Sequence, residues 1–212
     1  MAAATPLRQV PNLKRGTAFG GGGGSGSPGS PKSADPTLGV VIFVGSEVML
    51  FAGLLSAFLI SRASASFWPP PNQPRLPLAL TGFNTVLLIV SGFTMWRVVR
   101  SLRRHNKTGA MRWMVVTTVL GALFLAIQGS EWAHLILFGL TMTSSLYGGM
   151  FYLIVGAHAL HLIVAVAVLL FVASRVQRGR YDMDFRGVVA CSVYWSFVVI
   201  LWPIIYALVY LS

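Results

Sequence analysis

Both glutamates of this chain, Glu47 and Glu131, interrupt long apolar stretches. An ionisable side chain inside a membrane costs at least about 2.5 kcal/mol on insertion scales, so such side chains usually face protein or water and find partners. Two interpretations stay open for both residues. In the first, the carboxyl handles protons or contacts a lipid headgroup. In the second, it is a neutral or hydrogen-bonded carboxyl that joins two helices.

Two histidines occur in a later apolar stretch, at positions 158 and 161. Residues spaced i, i+3 share one face of a helix, as metal ligands would. A haem-copper centre needs several histidines spread over many helices, whereas His105 falls in a predicted loop and His134 near the end of another stretch. The pattern therefore favours interhelical hydrogen bonds by His158 and His161 over a metal site.

Other catalytic and metal-binding patterns are incomplete in this sequence. Residues 131–134 read Glu-Trp-Ala-His, a single copy of the Glu-x-x-His pattern of which di-iron bundles use two copies with two further glutamates. Cys191 is the single cysteine, which excludes a disulfide framework and a cysteine-based metal site. No nucleotide-binding or hydrolase motif occurs in a suitable context.

The polar residues lie on five apolar stretches of the chain. The composition is 55% hydrophobic and 10% charged, whereas soluble domains carry about 25% charged residues. Each stretch has the ~20 residues that a helix needs to cross a bilayer, and none alternates as membrane strands do. The sequence thus predicts an all-α membrane protein, a bundle of five transmembrane helices. The predicted spans are residues 38–60, 78–99, 113–138, 146–173 and 187–211.

The net charge of +11 sets the predicted orientation. In a soluble protein this charge would suggest nucleic acid, but here it lies between apolar blocks, so we expect no nucleic-acid partner. Four basic residues precede the first span, six lie between or beside the second and third, and four join the fourth and fifth. The opposite side receives only Arg62 and Arg75. The positive-inside rule then places the N-terminus inside and the C-terminus outside.

The first 36 residues differ from the rest of the chain. They include a Gly/Ser/Pro tract, GGGGSGSPGSP, with no apolar side chains to bury. Nothing there offsets the entropy of ordering the backbone. We expect residues 1–36 to form a disordered cytoplasmic tail that assembly does not need, and residues 37–212 to form the transmembrane domain.

Counting residues along the predicted spans brings the first and fourth helices together. Glu47 lies roughly 14 Å from the inner boundary at residue 38, and His158 roughly 18 Å from the outer boundary at residue 146. In a ~30 Å hydrocarbon core these two side chains share a level, with His161 one turn nearer the cytoplasm. We predict that Glu47 approaches at least one of the two histidines within hydrogen-bond or single-water reach.

Four sequence blocks together resemble subunit III of the cytochrome c and quinol oxidases. GSEVMLFAG begins at Gly45, and QGSEW, which contains Gln128 and Glu131, is similar to the family's Gln-x-x-Glu-aromatic segment. YGGMFYLIVGAHALHLIVA resembles its Gly-x-His-x-x-His helix, and YWSFVVILWPIIY its last segment. The order and spacing agree from about residue 38 onward and resemble the five-helix form. Ser196 and Val199 depart from the family, which usually has histidine and aspartate there.

The resemblance implies a non-catalytic core subunit that itself binds no haem or copper. In this family those cofactors, electron transfer and oxygen reduction belong to subunits I and II. The resemblance implies a subunit that packs beside subunit I in a bacterial cytoplasmic membrane, binds phospholipid, and supports proton uptake and stability. The intramembrane candidates for polar, lipid or proton-related roles are Glu47, Gln128, Glu131, His158 and His161.

Two alternatives remain open from the sequence. An accessory subunit of a nitric oxide reductase could carry the same four blocks. A small proton or ion transporter could line its path with the same carboxyls and histidines, although such proteins usually contain internal repeats and none is evident here.

Overall fold

The computed structural model of the protein describes residues 36–68, 78–177 and 185–211. These residues form five long helices, each long and apolar enough to cross a membrane. The helices are α1 (Pro36–Ser64), α2 (Leu78–Arg103), α3 (Lys107–Leu137), α4 (Leu146–Gln177) and α5 (Phe185–Ile205). The predicted bundle of five helices is confirmed. The expected tail at residues 1–36 lies outside the described residues, except for its last residue, and stays a prediction.

Each helix extends beyond the apolar run from which it was predicted at one or both ends. The largest difference is at α3, which begins six residues before the predicted start. The side chain of Asn106 caps this helix by accepting a hydrogen bond from the Gly109 N–H at 2.7 Å. A cap of this kind stabilises a polar first turn that hydropathy alone does not reveal.

The last predicted span ends differently from a regular helix. Pro203 lies inside α5 and has no N–H to donate to the preceding turn. After Ile205 the chain continues as a π-helical turn, Tyr206–Tyr210, and the Leu211 N–H donates to the Tyr206 carbonyl at 3.3 Å. The wider turn keeps Tyr206 and Tyr210 facing the bundle, with their ring centroids 5.6 Å apart.

Successive helices run antiparallel, so the bundle has two ends. At the amino-terminal end, where α1 begins, Arg97 near the end of α2 contacts Trp113 near the start of α3. At the carboxyl-terminal end, which holds the π-helical turn, the Tyr206 hydroxyl donates to the Leu78 carbonyl at the start of α2. Which end faces the cytoplasm stays a prediction from the charge pattern.

The helices differ greatly in how much of their surface they bury. In the most apolar 18-residue segment of α1, 11% is buried inside the protein, against 44% in the corresponding segments of α4 and α5. α2 and α3 form the most extensive pair, α5 packs against α1, α2 and α4, and α1 touches α4 more lightly. α1 is therefore a peripheral helix laid against a core that the other four helices build.

Small residues bring the core helices close together. Gly121 on α3 faces Trp195 of α5, and a Cβ at this glycine would lie 2.5 Å from the Trp195 Cη2 atom. Close approach of this kind is a usual way for membrane helices to gain packing contacts, because lipid supplies no hydrophobic drive for them to associate.

Candidate functional site

Glu47 of α1 pairs with a histidine of α4, as the depth argument predicted. Its Oε2 atom lies 2.8 Å from Nε2 of His161. The Glu47 and His161 side chains are 15% and 14% exposed, so the pair is mostly buried but remains accessible from the surface of the protein. The partner is His161, which lies one turn from His158, the histidine at the same predicted depth as Glu47. A difference of one turn is no larger than the usual error in helix boundaries read from sequence.

A second hydrogen bond of His161 fixes where its protons lie. Its Nδ1 atom is 2.7 Å from the Ala157 carbonyl oxygen, which can only accept, so Nδ1 carries a proton. Nε2 then either accepts from a protonated Glu47 or donates to an ionised one. In both arrangements the pair shares one proton and has no net charge. This explains how a carboxyl and an imidazole are tolerated at an intramembrane position.

The pair lies beside an apolar groove between α1, α4 and α5. The groove has a volume of about 360 Å³, and the His161 ring forms part of its lining together with Phe43 and Tyr194. The Tyr194 hydroxyl donates to the His161 carbonyl oxygen at 3.4 Å, and Phe51 meets the His161 ring edge-on at 5.4 Å. The imidazole therefore has a fixed orientation at the side of an open space.

His158 behaves differently from His161. It is fully buried, with its ring 4.9 Å from that of Trp202 and 6.4 Å from that of Phe124. Within residues 36–68, 78–177 and 185–211, neither ring nitrogen has a hydrogen-bond partner. The expected interhelical hydrogen bond is thus confirmed for His161 and wrong for His158, because the latter's position on α4 turns its ring into an aromatic cluster.

Glu131 is the centre of a buried polar network at the carboxyl-terminal end of the bundle. The Thr81 hydroxyl of α2 lies 3.0 Å from both carboxyl oxygens, and Gln128 Nε2 donates to Oε2 at 2.9 Å. Gln128 also donates to the Tyr210 hydroxyl oxygen at 3.2 Å. Glu131 and Gln128 are each 2% exposed. The network joins α2, α3 and the π-helical turn, and neutral groups supply the hydrogen bonds to its carboxyl.

The same polar layer continues along α2. The Thr85 hydroxyl donates to the Thr81 carbonyl and accepts from the Trp202 indole N–H at 2.9 Å, and Asn84 Nδ2 donates to the Phe124 carbonyl at 3.2 Å. From the sequence, Gln128 and Glu131 are candidates for a polar role, whereas Thr81 and Tyr210 are not. Their positions along the helices indicate a common depth at the carboxyl-terminal end of the bundle. Thr81 is three residues after the start of α2, Glu131 is six residues before the end of α3, and Tyr210 ends the π-helical turn.

The candidate histidines and carboxyls do not form a metal site. In the part of the chain that the structure describes, no three His, Cys, Asp or Glu side chains cluster closely enough to hold a metal ion. His161 is bonded to Glu47 and His158 is enclosed by aromatic rings, so neither is free to serve as an axial ligand. Glu131 is buried while His134 is exposed, which separates the two residues of the Glu-x-x-His pattern. These residues do not fit haem or copper.

The two positions that depart from the oxidase pattern have different surroundings. Ser196 is exposed on the outer side of α5. Val199 is 7% exposed and packs against Gly92 of α2, where an added Cβ would lie 3.0 Å from the valine Cγ1 atom. Val199 therefore makes an apolar contact between helices.

The fold and the sites define a multi-pass helical membrane protein whose intramembrane carboxyls are held by partners within the bundle. The family described as "Cytochrome c oxidase subunit III" matches residues 31–212. A relative from Synechocystis sp., named "Cytochrome c oxidase subunit 3", is 37% identical over 175 residues, covering 82% of this chain and 74% of the relative. "Probable cytochrome c oxidase subunit 3" of Mycobacterium leprae is 35% identical over 176 residues, covering 82% and 86%. The chain belongs to the cytochrome c oxidase subunit III family.

Proposed function

We propose that this chain is the non-catalytic core subunit III of a haem-copper respiratory oxidase in a bacterial cytoplasmic membrane, packed beside subunit I. Relatives from several bacteria are named cytochrome c oxidase subunit 3 or probable cytochrome c oxidase subunit 3, and this supports the assignment. The haem and copper that pass electrons to oxygen belong to partner subunits, and membership of the subunit III family supports this division. The charge pattern supports a cytoplasmic N-terminus.

The Glu47–His161 pair is the observation that carries a proton-related role. Because the Ala157 carbonyl fixes a proton on Nδ1, the shared proton has two positions, on Oε2 or on Nε2, 2.8 Å apart. Moving it needs no rearrangement of either side chain. The pair therefore holds one proton that moves between the carboxyl and the imidazole with little reorganisation, and the partly exposed side chains can exchange it with their surroundings. In an oxidase, such a proton-holding pair would support proton uptake towards subunit I.

Two apolar grooves beside α1 support a lipid-binding role. The first is the groove lined by His161, and the second, of about 350 Å³, lies between α1 and α5 and includes Phe51 and Phe197. Both have the dimensions and lining to accept acyl chains. Lipid in these grooves would cover the weakly buried α1 and limit the access of water to the Glu47–His161 pair.

Purification of the tagged chain in mild detergent tests the assignment. We expect it to bring down oxidase subunits I and II, identified by mass spectrometry, with a haem absorbance spectrum and oxygen consumption. A preparation that reduces nitric oxide and not oxygen would favour the nitric oxide reductase alternative. A chain that purifies alone, without haem, would contradict the subunit role and favour a small transporter.

A further inference from the structure

A basic pocket lies at the amino-terminal end of the bundle, on the last two turns of α2. Its volume is about 350 Å³, and its lining residues are Trp96, Val99, Arg100, Arg103 and Arg104. Arg100 and Arg103 lie one turn apart at the end of α2, and Arg104 directly follows its last residue. Three basic side chains therefore line the pocket together with one aromatic and one aliphatic side chain. The positive-inside rule requires basic residues at a helix end, but it does not require them to converge on one pocket.

Aromatic rings hold the neighbouring guanidinium groups in place. The Arg100 guanidinium lies 5.1 Å from the Trp96 ring centroid, and Arg97 lies between the rings of Phe93 and Trp113, at 5.5 and 5.2 Å. Stacking of this kind leaves the N–H edges of an arginine free to donate. A carboxylate that pairs with Arg100, Arg103 or Arg104 is absent among the residues that the structure describes. Three adjacent positive charges of this kind favour an anion.

An exposed apolar stripe continues from the pocket along α2. Val86, Val90 and Phe93 lie on the helix face that leads to Arg100, and they are 57%, 44% and 55% exposed. A soluble anion would use the arginines and leave this stripe untouched. A molecule with a charged phosphate head and long hydrocarbon chains would use both surfaces.

We propose that the basic pocket binds the phosphate headgroup of an anionic phospholipid, whose acyl chain lies along the stripe formed by Val86, Val90 and Phe93. Guanidinium groups donate bidentate, charge-assisted hydrogen bonds to phosphate, and basic pockets at the ends of transmembrane helices are suited to anionic headgroups. This site is separate from the two grooves beside α1. It requires membrane insertion but does not depend on the role proposed for the Glu47–His161 pair.

Photo-crosslinking in nanodiscs tests this site. The full chain, in the complex with which it purifies, is placed in phosphatidylcholine nanodiscs with a phosphatidylglycerol probe that carries a diazirine in its acyl chain. After illumination, peptide mass spectrometry measures labelling of α2 around residues 86–93. We expect the probe to label this segment in a saturable way, and a phosphatidylcholine probe to label it much less.

Matched variants decide whether the pocket is responsible. Replacing Arg100 and Arg104 by glutamine should raise the half-saturating probe concentration by about fivefold for each arginine. Arg112→Gln removes an exposed charge at the same end of the bundle but outside the pocket, and should change it little. Retention of each variant in the complex shows that it is folded.

Four results would overturn the proposal. Equal labelling by the two lipid probes would show no preference for the anionic headgroup, and displacement of the probe by inorganic phosphate would indicate a soluble anion site. An equal loss of labelling in Arg112→Gln would mean that the positive charge of this end of the bundle, and not the pocket, attracts the anionic probe. Absence of labelling in the intact complex would show that a protein partner covers this face.

Discussion

The two intramembrane glutamates occupy opposite kinds of surroundings. Glu47 stands on the peripheral helix α1, is 15% exposed, and shares a proton with His161 beside an open groove. Glu131 stands in the core, is 2% exposed, and accepts hydrogen bonds from a neutral hydroxyl and a neutral amide. Glu47 therefore has an imidazole as its partner and an open groove beside it. Glu131 has neither among the described residues.

This difference indicates two roles for residues that look alike in sequence. A carboxyl held by neutral donors in a closed site fixes the geometry of the helices that supply those donors. A carboxyl that faces an imidazole in a partly open site can change its proton without disturbing the fold. Replacements in the core should therefore cost stability, and replacements at the periphery should change proton-linked behaviour.

The largest expected effect comes from filling the closest contact in the core. Gly121→Ala places a Cβ 2.5 Å from the Trp195 Cη2 atom and 3.0 Å from a Val166 methyl, and Trp195 is fully buried. We expect a loss of about 3 kcal/mol, at the upper end of the usual cost of overpacking. The measurement is the thermal midpoint at which the chain leaves the complex in mild detergent.

The matched control for this change lies on α1. Gly53→Ala meets no atom within 4 Å, so it should be neutral or stabilise α1 slightly through its better helix propensity. Equal destabilisation by both changes would mean that α1 is packed as closely as the core in the assembled complex. The comparison between periphery and core would then fail.

Much of this arrangement could be predicted from the sequence. The number of helices follows from hydropathy and length, and the contact of Glu47 with α4 follows from counting residues at 1.5 Å each. The choice between His158 and His161 could not be made, since they differ by one turn and by the rotation of α4. The partners of Glu131 were also missed, because threonine and tyrosine are common in helices and only the packing of α2 against α3 selects Thr81.

The next effect in size is expected in the Glu131 network. Glu131→Leu removes the acceptor for Thr81 and for one hydrogen bond of Gln128, and should cost about 1–2 kcal/mol in the same thermal assay. Glu131→Gln keeps an acceptor oxygen and should cost less. Equal loss in both variants would show that the charge of Glu131, and not its acceptor capacity, stabilises the bundle.

Haem content provides an independent check on both carboxyls. Glu47→Gln and Glu131→Gln should each leave the haem absorbance of the purified complex unchanged, because neither residue belongs to a ligand set in the described part of the chain. The absorbance is compared at equal amounts of subunit I. Loss of haem from a correctly assembled variant would contradict this expectation and the division of roles between the glutamates.

The smallest effect on stability, and the most specific effect on function, is expected at Glu47 and His161. An interhelical hydrogen bond in a membrane protein contributes on average about 0.6 kcal/mol, so Glu47→Gln and His161→Gln should both leave the complex assembled. Each should slow proton uptake, followed with a pH-indicator dye when the reduced complex meets oxygen. Because the two groups share one proton, the double variant should be no slower than either single variant.

Glu131→Gln is the matched control for this double-mutant cycle, since it also neutralises an intramembrane carboxyl but in the closed network. Its rate of proton uptake should equal that of the unmodified complex. Additive slowing in the double variant would mean that Glu47 and His161 act separately despite their 2.8 Å contact. Equal slowing by Glu131→Gln would mean that exposure and a titratable partner do not decide which glutamate handles protons.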